Sequence, residues 1–154
     1  MAMSLSTKDS NILNHARHNK QACAYLSEHS DYSDWIITTA FYSALHFVDY
    51  KIFPLKFSIK GKEHNYSKFD DYYDFFAKKK SISGISRHKA RLDLVEKRLS
   101  GIAPQYSKLL SLCTKARYVN YEFDNKWALT CSPKTDPFIN IVKQLIRLSS
   151  IKFL

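Results

Sequence analysis

Eight of the 24 basic residues of this 154-residue chain fall within one stretch of 21: Lys78, Lys79, Lys80, Arg87, Lys89, Arg91, Lys97 and Arg98. Only Asp93 and Glu96 oppose them there, so the stretch carries 8 − 2 = +6 of a formal net charge of +10. Such a concentration favours an anionic partner, and the chemistry it suits is contact with phosphate oxygens. If Ser86 caps a helix, Arg87, Arg91 and Arg98 recur at i, i+4 and i+11 and share one face, a spacing that tracks a phosphate backbone or serves as an ordinary solvated surface. A second polar cluster lies in the run RYVNYEF, Arg117 to Phe123. At about 100° per residue, Asn120, Tyr121 and Asp124 turn toward Arg117, away from an apolar seam of Leu109, Leu112, Ala116, Val119 and Phe123.

The elements that must position these residues are helical. Three glycines, four prolines, 45% apolar and 14% aromatic residues argue for long helices with few turns, in one domain spanning 1–154. A first helix is predicted from Thr7 to Ser27, with Ile12, Ala16, Cys23 and Leu26 on a common face. The next runs from after Asp34 to Ile52. Apolar or small residues cover most of its circumference, which marks a central helix, and Thr38, Thr39 and Ser43 can return their hydroxyls to its own carbonyls, so they do not forbid burial. Phe53 to Lys60 alternates but contains Pro54 and lacks a second such segment, so it reads as an extended connection. A third helix, Tyr66 to Lys78, sets Phe69, Tyr72, Tyr73 and Phe76 at core spacing. The fourth follows Ser86, with Leu92, Val95 and Leu99 inward and Gly101 ending it. Pro104 opens a fifth helix, and Thr135 or Asp136 with Pro137 begins an additional one over 135–154.

Other chemistries are poorly served. His15 and His18 have an i, i+3 spacing but no third ligand, so no metal is expected, and the absence of a glycine-rich phosphate loop predicts no nucleotide cofactor. Cys23, Cys113 and Cys131 fit reduced thiols. The start MAMSLSTKDS has no apolar signal core, and no apolar run approaches the ~18 residues of a spanning helix. A cytoplasmic protein without membrane association is expected. His46, in the middle of the second helix, is read as a core histidine bonded to a neighbour.

The order of these motifs resembles the HEPN family of small helical bundles. DWIITTAFYSALHFVDYKI resembles that family's Tyr- and Ala-rich helix, KEHNYSKF with SRHKARLDLVEKRL its middle, and SLCTKARYVNYEF its final helix, a match over about residues 10–124. The resemblance implies an all-α, antiparallel up-and-down bundle of four to five helices that pairs as a homodimer, often in toxin–antitoxin or antiphage defence systems. Many members cut RNA without metal, using an arginine, four to six intervening residues and a histidine. The arginine is a permanent, planar donor for phosphate, and the histidine exchanges protons near neutral pH.

Arg117 stands at the arginine position, but Glu122, Phe123 and Asp124 occupy the three positions open to the histidine. The resemblance therefore implies RNA association through Arg117, Asn120 and Tyr121 with weak or absent cleavage. Loss of a proton-transfer group typically costs about 10²–10⁴ in rate. Two alternatives stand beside it. One is a metal-independent endoribonuclease with a non-standard site at Arg117, to which His46, His64 or His88 could contribute from another helix. The other is a non-catalytic module that binds an acidic partner, such as a nucleotidyltransferase-like protein encoded nearby. Arg117 has an equally open structural reading, as a guanidinium paired with Glu122, Asp124 or an acid from another helix.

Overall fold

The structure is a computed structural model that describes residues 7–28, 32–79 and 84–118. The described chain is predominantly helical: α1 (Thr7–Leu26), α2 (Ser33–Ile52), a hairpin of β1 (Leu55–Ile59) and β2 (Lys62–Tyr66), α3 (Phe69–Lys79), α4 (Arg87–Arg98), a 3₁₀ turn (Ser100–Ile102) and α5 (Ala103–Tyr118). Helix α2 is central, packing on α1 along one side and on α5 along another, while α4 touches both α3 and α5. Its burial follows from its composition, since Ile36, Ile37, Ala40, Phe41, Ala44 and Val48 are all at most 1% exposed. The small side chains Ala16, Ala40, Ala44 and Ala116, all nearly inaccessible, let the helices approach closely.

The predicted seam of α5 is buried at Leu109, Leu112 and Ala116; Val119 and Phe123 lie outside the described residues. Ser86 caps α4 by accepting from the Lys89 N–H at 3.2 Å. Helix α4 ends at Arg98 rather than Gly101, because Leu99 leaves the helical region and a 3₁₀ turn leads directly into α5. Pro104 then sits in the first turn of α5, where its missing N–H breaks no bond.

Two expectations about side-chain hydroxyls and strands are corrected. Thr39 does return its hydroxyl to the Trp35 carbonyl (2.7 Å), but Ser43 instead donates across to the Ala16 carbonyl of α1 at 2.9 Å, tying the two helices through a fully buried bond. The segment after α2 is not a lone extended connection. Leu55–Ile59 pairs antiparallel with Lys62–Tyr66, in register from Leu55 opposite Tyr66 to Ile59 opposite Lys62. Lys60 (φ 50°) and Gly61 (φ 76°) form a two-residue turn of the kind that suits strand twist, and Pro54 stands just before the ladder, where its missing donor is not needed. The second strand, KEHNY, escapes a search for apolar alternation because only Tyr66 of its five residues is buried. The hairpin rests on α3 through aromatic contacts: Phe57 on Phe76, His64 on Phe75 at 4.7 Å, and Tyr66 on Tyr72 and Phe75. The aromatic stripe of α3 is therefore packing surface.

No helix of the described residues is long and apolar enough to cross a membrane.

Candidate functional site

The predicted arginine row on α4 does not survive as a free basic face. Arg91 is 7% exposed and turned inward, where its Nε donates to Asp49 Oδ1 at 2.8 Å and its Nη2 to Asp49 Oδ2 at 3.0 Å. Its guanidinium lies 3.6 Å above the centre of the Phe69 ring. The reason is packing: the row i, i+4 faces α2 and α3, and Asp49 in the last turn of the apolar α2 needs a partner once it is buried. Burial pushes the Asp49 carboxyl up, and the hydrogen bonds and charge of Arg91 oppose that rise.

Arg87 pairs with Asp70 of α3 and lies over the Tyr73 ring, and Lys89 pairs with Asp93 at 2.9 Å one turn along its own helix. Of the basic stretch, Lys97 and Arg98 are the exposed cations with no ion pair among the described residues. The side chains of Lys78, Lys79 and Lys80 lie outside the described residues.

The histidines are distributed rather than gathered. His46 is half-buried with its ring 5.5 Å from that of His15 on α1, and its pKa is lowered to about 4, first by burial and then by the charges of His15 and Arg91. No hydrogen-bonded neighbour of His46 is found among the described residues, so the predicted partner is replaced by this imidazole contact. His64 belongs to the hairpin. His88, on α4, packs edge-on against Phe41 at 5.4 Å; burial lowers its pKa, with Arg91, Arg117 and Arg87 adding to the effect, and its Nδ1 is buried without a partner among the described residues. Cys23 and Cys113 are buried and form no disulfide among the described residues, while Cys131 lies outside the described residues. Among the described residues no three His, Cys, Asp or Glu side chains gather in a way that would hold a metal.

Arg117 is set apart from all of these. It is exposed at the end of α5, and its Nη1 donates to the Tyr42 hydroxyl of α2 at 2.8 Å. Ala116, at 1% exposure, brings the two helices close enough for this reach, and no carboxylate among the described residues pairs with Arg117. The predicted partners Glu122 and Asp124, like the site residues Asn120 and Tyr121, lie outside the described residues. The Tyr42 oxygen raises the pKa of Arg117 further, so the charge is permanent.

Beside this guanidinium opens a cleft of about 230 Å³ lined by Asp34, Trp35, Thr38, Ala116, Arg117 and Tyr118. The α2 members Asp34, Trp35, Thr38 and Tyr42 recur at intervals of one, three and four residues, so they share the side of α2 that meets the end of α5. Trp35 and Tyr118 are 57% and 72% exposed, unusual for side chains whose burial would be favourable. Burial pushes the pKa of the Cys113 thiol up, an effect that the charge of Arg117 and the Thr38 side chain oppose. Chemically the cleft offers a fixed cation, a carboxylate that forms no ion pair among the described residues, and two aromatic faces.

Of these residues only Arg117 stands out in the sequence. Trp35 and Tyr42 belong to a helix whose composition suggests burial on several sides, and the one local signal against it is the polar pair Asp34 and Thr38 flanking Trp35. Compared with known proteins, the chain matches no family model, no curated protein and no solved structure.

Proposed function

We propose that this chain is an RNA-associated, HEPN-like helical module of a toxin–antitoxin or antiphage defence system, with weak or absent ribonuclease activity, and that the cleft at Arg117 holds the RNA. One observation carries this reading: an exposed guanidinium is positioned by a neutral hydroxyl, pairs with no carboxylate among the described residues, and stands beside two exposed aromatic side chains. A fixed cation next to stacking surfaces is the general chemistry of single-stranded nucleic-acid binding. Lys97 and Arg98 add cationic surface elsewhere. In this reading the helices form an antiparallel up-and-down bundle that works as a homodimer in the cytoplasm, and Asn120 and Tyr121 extend the site beyond Arg117.

Weak cleavage follows from what lines the cleft: no imidazole is among its described residues, and carboxylate or phenyl side chains follow Arg117 where the resemblance would place a histidine. The endoribonuclease alternative would draw its proton-transfer group from His88, whose pKa is lowered first by burial and then by the charges of Arg91, Arg117 and Arg87. Binding of a fluorescent single-stranded RNA, followed by anisotropy at several salt concentrations, tests the reading. Affinity should fall with salt and weaken in Arg117→Ala. Salt-insensitive affinity, or affinity unchanged in the variant, would count against it. The same RNA incubated in EDTA separates the alternatives, since cleavage that vanishes in Arg117→Ala would establish the ribonuclease. Co-purification with the product of a neighbouring gene, without RNA, would favour the protein-partner module.

A further inference from the structure

The two polar ends of the cleft do not neutralise each other. Asp34 enters it from the first turn of α2 and Arg117 from the end of α5, and among the described residues no ion pair joins them or ties either to a third group. Trp35 and Tyr118 line the same space with much of their ring surface exposed. At about 230 Å³ the cleft is smaller than the roughly 300–1,000 Å³ typical of sites that enclose a drug-sized ligand, which suits one planar ring system and its phosphate.

We propose that this cleft selects guanine in single-stranded RNA, an inference that rests on the RNA reading above and gives it a base preference. An ionised carboxylate is acceptor only, so it discriminates among bases by the donors on their edges. Guanine presents two adjacent donors, N1–H and the N2 amino group, which match the two oxygens of Asp34. Adenine and cytosine place one amino group beside a ring nitrogen that repels a carboxylate. Uracil places its single N–H between two carbonyls. The guanine ring stacks on Trp35 or Tyr118, and Arg117 takes a flanking phosphate.

The test uses Trp35 fluorescence in the full chain carrying Trp127→Phe, titrated with the trinucleotides UGU, UAU, UCU and UUU. UGU should quench Trp35 and bind about tenfold to a hundredfold more tightly than the others. UIU, in which inosine lacks the N2 amino group, should bind more weakly than UGU to the unsubstituted cleft, a comparison that needs no variant at Asp34. Asp34→Asn, which offers one donor and one acceptor, should lose the guanine preference and shift toward UAU and UCU. Equal binding of all four trinucleotides, each still weakened by Arg117→Ala, would overturn the guanine assignment and leave the RNA reading standing. Absence of binding by any of them would overturn both. Guanine preference that persists in Asp34→Asn, UIU binding equal to UGU, or quenching by a free amino acid but by no trinucleotide would each overturn the proposal.

Discussion

Arg91 and Arg117 carry the same side chain in opposite settings. Arg91 is buried against Phe69 and grips both oxygens of Asp49; Arg117 is exposed, and its hydrogen-bond partner among the described residues is the neutral hydroxyl of Tyr42. In the first case the charge is consumed by a carboxylate that the fold itself buries. In the second the side chain is held in place while its charge stays accessible. A guanidinium marks a candidate anion site when its partner positions it without neutralising it, and local density of basic residues is a poorer guide.

The largest expected effect lies on the buried side of the comparison. Arg91→Ala leaves Asp49 as an unpaired buried carboxylate and should destabilise the fold by about 3–5 kcal/mol, whereas replacing both partners with Leu and Met of similar volume should recover most of that loss. Urea denaturation of the single and double variants measures both, and equal losses in the two would mean that the pair itself, not an orphaned charge, sets the cost.

Next in size is a pH effect from the same interior. The folded-state pKa of His46 is lowered to about 4 from an ordinary 6.5, so between these values the unfolded chain binds the proton more readily. Stability is therefore full above about pH 6.5 and declines as pH falls toward 4, with His88 acting in the same direction. Because His46 is only half-buried, solvent screening keeps its share to the order of 1–2 kcal/mol. The midpoint difference between pH 7 and pH 5 should shrink in His46→Gln; an undiminished difference would assign the effect elsewhere.

Gly61→Ala comes third. An added methyl group would meet open space there, so the cost comes only from φ near +76° and should be about 1 kcal/mol, read from the urea midpoint. Smallest of all is the stability effect of Arg117→Ala, within about 0.5 kcal/mol, as for an exposed residue whose partner hydroxyl can turn to water.

The helices are largely legible in the sequence because each carries its own periodicity: the seam Leu109, Leu112 and Ala116, the cap at Ser86 and the apolar girth of α2 are local signals. What escapes is non-local. Asp49 reads as one acid within an apolar helix, and nothing in a linear scan says that Arg91, 42 residues later, will meet it. Periodicity groups the arginines of α4 correctly but suggests a solvent face, since it identifies a shared side without saying what covers it. Strand β2 escapes because a hairpin resting on aromatics from one side needs few buried residues of its own. Arg117 is visible in the sequence, but its cleft is not: Asp34, Trp35 and Tyr42 lie on a helix that precedes it by about 75 residues, and their exposure is a property of the packing.

The most direct test of the contrast measures RNA affinity against salt for the natural sequence and for Arg117→Ala, with the denaturation midpoint of each recorded alongside. An unchanged midpoint is expected, with affinity lowered at every salt concentration and a log–log salt slope reduced by about one, as when a single phosphate contact is removed. The same affinity and the same slope in both proteins would contradict the assignment of Arg117 as the accessible charge that holds RNA.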